Sequence, residues 1–176
     1  MKKHFPLLLI FIMAGLISFA QEVSPADEVL KAACQQAARE KKNVFLIFHA
    51  SWCGWCRKMD SSIHDASVKN YFDKNFAITH LTVLESANKK QLENPGGEAF
   101  LNKHAGKEPG LPFWIILDAN GNKLADSQMN PGGNVGCPAT KEEVAHLLAV
   151  LEKTSGITDK EKLAVETRFR QNEIHR

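Results

Sequence analysis

Cys53 and Cys56 stand two residues apart in Trp52-Cys53-Gly54-Trp55-Cys56, directly after the apolar run Val44-Phe45-Leu46-Ile47-Phe48 and just ahead of a helical pattern. A cysteine where a strand turns into a helix meets unpaired N–H groups and the positive end of the helix dipole. Both favour the thiolate, which is the reactive form of the side chain. Cys56, three positions on, lies one turn up the same face and can close a disulfide with Cys53. The pair reads as a redox centre that cycles between dithiol and disulfide. The same spacing supplies half of a structural zinc site, but that needs four ligands. Cys34 and Cys137 are isolated and no H-x₃₋₅-H pair exists, so the redox reading is preferred and no metal is expected.

The elements that must position this pair follow from periodicity and punctuation. Ser24-Pro25-Ala26-Asp27 reads as an N-cap followed by proline in the first turn. It opens a helix over 26–41 with Val29, Leu30, Ala33 and Ala37 on one face. The unbroken run Val44–Phe48 predicts a strand covered on both faces. A helix is predicted from Cys53 to about Val68, a second interior strand over Ala77–Leu84, a short helix near Glu98–His104 stopped by Gly106, and a third strand over Phe113–Leu117. Asn120-Gly121 is a hairpin signal, so 123–127 should pair antiparallel with that strand. Capping boxes at Thr140–Glu143 and Thr158–Glu161 open two further helices. In the last of these Val165 and Phe169 share a face that Leu163 fits less well. The order α-β-α-β-α-β-β-α with an added tail predicts an α/β fold: a central mixed sheet with helices on both faces.

Composition bounds the setting. Residues 1–20 carry Lys2 and Lys3, then an apolar core over Leu7–Ile17, then Ser18-Phe19-Ala20. This is the pattern of a signal peptide cleaved before Gln21. The expected organisation is therefore signal peptide 1–20, one domain over 21–154 and a charged helical extension over 155–176. The whole chain carries 22 basic and 20 acidic residues. Without the two lysines of 1–20 the charge is zero, which gives no basis for a nucleic-acid partner. Export places the protein in the periplasm or outside the cell, where disulfides persist.

The element order, the cysteine motif and one proline together resemble the thioredoxin family, most of all its exported bacterial members. The resemblance spans about 24–151. It rests on Phe48-His49-Ala50-Ser51-Trp52-Cys53-Gly54-Trp55-Cys56-Arg57-Lys58-Met59, on Asn94-Pro95-Gly96, on Gly110-Leu111-Pro112-Phe113 and on Leu117-Asp118-Ala119-Asn120-Gly121. It implies a protein-disulfide oxidoreductase without a bound cofactor. Cys53 would be the exposed attacking thiolate, and Cys56, more buried, would resolve the mixed disulfide. Pro112 would be cis against the cysteine pair, and the Leu111 backbone would pair with an extended substrate segment. Trp52, Gly54 and Trp55 would complete the substrate surface, with Trp52 packed under the turn and Trp55 exposed beside it.

Departures from the family pattern are informative. Trp55 stands where cytosolic reductants carry proline, and Ile47 stands where they carry a buried aspartate that serves the resolving cysteine. Proton transfer at Cys56 is thus left without its usual group. Arg57 and Lys58 are read as a solvated helix face, and His49 as a packing residue able to tune Cys53. The other histidines, His64, His80, His104 and His146 among them, show no metal spacing. Cys34 is read as a small buried apolar residue. Cys137 falls in a glycine-rich loop, 128–138, that must open at the Cys53 end of the sheet. It is expected on a mobile surface, either as a third reactive thiol or as an inert one; a bond to Cys34 is disfavoured because their elements lie on opposite faces.

The leading function is reduction of protein disulfides, fed by a membrane electron donor; a membrane electron acceptor would be the partner if the flow ran the other way. Disulfide oxidation or isomerisation is the alternative within the same chemistry. A copper-binding module, since thiolates are soft ligands, and a binding domain with vestigial redox chemistry are the alternatives outside it.

Overall fold

The structure, a computed structural model, describes residues 22–106, 110–130 and 133–173. The segment read as a signal peptide lies outside these. Its elements are α1 (Ala26–Glu40), β1 (Asn43–His49), α2 (Gly54–Ile63), α3 (Lys69–Asn75), β2 (Phe76–Thr82), a 3-10 turn (Ala87–Leu92), α4 (Gly97–Ala105), β3 (Phe113–Leu117), β4 (Lys123–Asp126), the small hairpin β5 (Gln128–Met129) and β6 (Gly133–Asn134), α5 (Lys141–Thr154) and α6 (Asp159–Arg170).

The main sheet has the order β2-β1-β3-β4. β1 and β2 are parallel, joined by the α2–α3 crossover, whereas β3 is antiparallel to both β1 and β4. The central strands β1 and β3 therefore carry side chains into both layers of core, which is why both read as unbroken apolar runs. Phe45, Ile47, Trp114 and Ile116 face one cluster with Met59 and Ile63 of α2, Phe72 of α3, Leu147 and Leu151 of α5, and Val165 and Phe169 of α6. Val44, Leu46, Phe48, Phe113 and Ile115 face the other cluster, with Ala33 and Ala37 of α1 and Leu101 of α4. Helices thus cover both faces, as the element order predicts.

Some boundaries differ from expectation. The helix after the cysteine motif stops at Ile63. Asp65 accepts hydrogen bonds from the Ser67 N–H and hydroxyl, an Asx turn that breaks the helix and starts α3 separately. β2 ends at Thr82, not Leu84, because Leu84 is in the left-handed region with φ 53°. Pro25, not Ser24, occupies the N-cap of α1. The glycine-rich segment contains the β5–β6 hairpin.

Both predicted capping boxes are formed. α6 lays Val165 and Phe169 into the core, both fully buried, and turns Leu163 outward at 64% exposure. The Phe169 ring lies 6.3 Å from that of Phe72. Phe169→Ala is expected to cost about 3–5 kcal/mol, the range for removing a large buried aromatic. Leu163→Ser should stay within about 0.5 kcal/mol. Urea unfolding of the two variants checks the pair; similar losses would mean α6 is not docked this way.

Candidate active site

β1 delivers the chain to the end of the sheet, and α2 starts there. Cys53 is the N-cap residue of α2, with extended backbone (φ −76°, ψ 102°), and its sulfur accepts the Cys56 N–H at 3.1 Å. The sulfur so performs the work an N-cap hydroxyl does elsewhere, satisfying a donor of the first turn. The two cysteines are joined, Sγ–Sγ 2.00 Å, with Cα atoms 5.3 Å apart. Ala50 and Leu111 pack against them, and the Leu111–Pro112 peptide is cis, as the family pattern implies.

Burial corrects one expectation. Cys53 is only 3% exposed and Cys56 2%, so in the disulfide state Cys53 is no more open than its partner. The reason is its N-cap role, which turns the sulfur inward toward the helix. Trp52 is also corrected. It does not pack under the turn but stands 56% exposed, held by its indole N–H, which donates to the Leu84 carbonyl at 2.8 Å. With Ala50 and Cys53 turned in, the residue before Cys53 is turned out. Trp55 is 41% exposed as expected, with Lys58 Nζ 4.4 Å from its ring centroid. Gly54 is exposed at the first position of α2. Arg57 is not merely solvated: its guanidinium donates to the Ser51 carbonyl at 3.1 Å, folding back onto the turn.

Glu85 and Asn134 escaped the sequence reading. Glu85, 4% exposed, accepts both the Ser51 N–H (2.5 Å) and the Ser51 hydroxyl (2.8 Å), clamping the turn between β1 and Cys53. An acid immediately after an apolar strand was the available signal. Asn134 donates to the carbonyls of Gly110 (2.7 Å) and Pro112 (3.0 Å), tying the β5–β6 hairpin to the cis-proline loop. Between that loop, Trp55 and the segment after β6 runs a groove of about 230 Å³, with Leu111, Val135, Gly136 and Glu143 in its walls.

Cys137 also lines that groove, yet its placement overturns the expectation of a mobile surface thiol. It is 5% exposed, and its sulfur accepts from the Asn172 side-chain amide at 3.4 Å. The same amide donates to Ser62 on α2 at 3.0 Å. Burial pushes the Cys137 thiol up to about 12, against the pull of Lys58 and Arg168. Val135 and Cys137 are apolar anchors that pin the glycine-rich segment to the core. Cys34 is free and half-buried rather than fully buried, and burial, then Asp118, raises its thiol as well. Among the described residues no three His, Cys, Asp or Glu side chains are grouped so as to hold a metal ion.

A family model described as thioredoxin-like matches residues 26–119. The chain belongs to the thioredoxin-like family. It is 31% identical over 105 residues to the disulfide bond reductase DsbH of Chlamydia pneumoniae; the alignment takes in 57% of this chain and 61% of that protein's length. Among solved structures, a disulphide isomerase from Xylella fastidiosa Temecula1 aligns over 88% of this chain and 95% of its own, at 16% identity and TM-score 0.48. The C-terminal domain of DsbD from Neisseria meningitidis aligns over 59% and 84%, at 21% identity and TM-score 0.41. Within that family's fold, the geometry places the joined Cys53–Cys56 pair at the N-terminus of α2, beside the cis-proline loop.

The site yields predictions about its supports. Desolvation pushes the Glu85 carboxyl up, but the Ser51 hydrogen bonds, Lys89 and His49 outweigh it and hold the group below its ordinary 4.5. A carboxyl lowered by folding adds stability above its unfolded value, and that stability is lost as pH falls through the folded one. Glu85→Ala, which strips the Ser51 N–H of its partner, should cost about 1–3 kcal/mol at neutral pH. The gap from wild type should shrink below pH 4.5, as read by denaturant unfolding at pH 7 and pH 3. A gap that does not narrow in acid would refute the clamp. In the folded, oxidised protein Cys137 should resist iodoacetamide while Cys34 is modified first, as followed by peptide mass spectrometry; rapid labelling of Cys137 would contradict its burial.

Proposed function

We propose that this chain is an exported reductase of protein disulfides, in which Cys53 attacks and Cys56 resolves. The observation that carries the reading is the Cys53–Cys56 bond at the N-terminus of α2, where Cys53 Sγ already accepts a backbone N–H. A reduced Cys53 at that position is stabilised as thiolate by the same N–H and by the helix dipole. It attacks a substrate disulfide and forms a mixed disulfide; Cys56 then attacks Cys53 and releases the substrate thiol. The groove beside Trp55 accepts an extended segment of the substrate, with the Leu111 backbone pairing to it in the manner of an added strand and Pro112 holding that loop against the cysteines. Trp52 and Trp55 offer apolar area around Gly54, where the substrate chain must approach closely.

Electrons return from a membrane-embedded donor on the outer side of the cytoplasmic membrane, and residues 1–20 act as the cleaved export signal that brings the chain there. Support for the reductive direction comes from the name of the Chlamydia relative, a disulfide bond reductase.

Insulin reduction by the dithiothreitol-supplied protein tests the activity, and the reduction potential tests the direction. A value of about −270 mV suits a reductant; one of about −120 mV would instead make the protein an oxidant. Cys56→Ser should accumulate mixed disulfides with substrate proteins on non-reducing gels, and Cys53→Ser should not. Equal trapping by both variants would reverse or remove the assigned roles. In Cys56→Ser the remaining Cys53 thiol should titrate below the free value of about 8.5, followed by thiolate absorbance.

A further inference from the structure

Cys56 is almost fully buried, and resolution requires it to lose a proton there. The side chains that β1 sends toward α2 beneath it are Phe45 and Ile47, neither of which can take one. Titratable groups do gather at one flank of the same helix. Asp60 follows Cys56 by four residues on α2, so the two lie on one face about 6 Å apart along the axis. The Asp60 carboxylate is hydrogen-bonded to His80 Nε2 at 2.8 Å. His80 is paired in register with Ile47, and His49 lies two residues beyond Ile47 on β1. Alternation along the strands puts both imidazoles on the α2 side of the sheet. Their rings meet edge to face, centroids 5.1 Å apart. His49 Nε2 is 3.1 Å from the Thr82 hydroxyl, and His49 immediately precedes Ala50, which packs on the cysteine pair.

We infer that His49 is the local base that takes the Cys56 proton during resolution, with His80 and Asp60 as the positioning residues that hold its ring. The inference rests on the resolving role of Cys56 proposed above. In the step, the Cys56 S–H proton passes to the neutral His49 imidazole, directly or through one water. The freed electron pair attacks Cys53 Sγ. The Cys53–Cys56 bond forms as the Cys53–substrate bond breaks, and the substrate sulfur leaves as thiolate with the displaced pair. The proton on His49 then goes to that thiolate or to solvent. Two electrons have moved from the cysteine pair to the substrate. The titratable groups facing His49 are Asp60 from α2, His80 from β2 and Glu85 from the loop after β2; His64 acts on Asp60. Desolvation, then His80, lowers the His49 pKa against the pull of Asp60 and Glu85, so the imidazole is neutral and able to accept at neutral pH.

The reduced full-length protein mixed with an aryl disulfide, 5,5′-dithiobis(2-nitrobenzoate), releases its coloured thiolate in two phases in a stopped-flow instrument. The first is attack by Cys53, and the second is resolution by Cys56. Followed from pH 5 to 9, the second phase of wild type should show an inflection at or below about 6.5, the ordinary histidine value. In His49→Gln that inflection should disappear and the second phase should slow at least about tenfold at pH 7, with the first phase unchanged. Asp60→Asn, which removes the carboxylate that favours the charged imidazoles, should move the inflection down and leave the first phase alone. Slowing of both phases together in His49→Gln, or a second phase that keeps the wild-type pH profile in both variants, would overturn the inference. If His49→Gln does not fold, the Asp60→Asn profile decides alone, since that pair is partly exposed. A wild type without a second phase would instead overturn the resolving role of Cys56, which Cys56→Ser trapping reads independently.

Discussion

The hydrogen bond from the Cys56 N–H to Cys53 Sγ organises this molecule. It requires the chain to leave β1, turn through residues 50–52 and enter the helix from an extended Cys53, with a sulfur where a cap oxygen normally sits. Everything nearby serves that requirement. β1 is buried on both faces, so its end is fixed in space. Glu85 and Arg57 grip Ser51 from opposite sides, one through its N–H and hydroxyl and the other through its carbonyl. Leu84 adopts a left-handed backbone to bring its carbonyl to Trp52, a conformation that costs a leucine roughly 1–2 kcal/mol. The strain is held in place by the packed strand ahead of it and by the Glu85 bonds after it.

α2 has two unlike flanks. Toward β2 lie Asp60, His80 and His49, a half-buried polar cluster open to protons. Toward β6 and α6 lie Ser62, Cys137 and Asn172, all nearly inaccessible and bonded to one another. The first flank is chemically responsive. The second is a fixed bearing that sets the height of the helix relative to the groove. Two free thiols, Cys34 and Cys137, stand outside the Cys53–Cys56 pair, and burial raises the pKa of both, which lowers their reactivity toward disulfides.

Much of this was legible because local rules and tertiary packing agree. The apolar run 44–48, the hairpin at Asn120-Gly121 and both capping boxes each name their element, and each stands where expected. The pairing of Val165 with Phe169 and the outward turn of Leu163 follow from helical spacing alone. What was not legible was of two kinds: local choices between competing turns and helices, and information carried between distant segments. The break between α2 and α3 depends on one Asp side chain choosing a turn over helix continuation. The glycines around Cys137 suggested mobility, but Val135, Cys137 and the Asn134 bonds fix the segment to the cis-proline loop. Trp52 is turned outward because its neighbours Ala50 and Cys53 take the interior positions, which the family pattern does not reveal. Glu85 reads as an ordinary polar residue until its partner Ser51, 34 residues earlier, is brought beside it.

The contact of Asn172 with Ser62 spans 110 residues, and that of Asn43 with Thr154 spans 111. The helix that carries the cysteine pair is thus finished by a residue 110 positions downstream. A growing chain can form β1, α2 and β2 early, yet the cluster beneath α2 lacks Val165 and Phe169 until α6 has been made. Contacts this distant close late, because loop entropy must be overcome first. Until α6 docks, the chain therefore holds Cys53 and Cys56 on an incompletely packed support, with apolar surface uncovered. Docking of α6 is the event that gives the support of the cysteine pair its final shape.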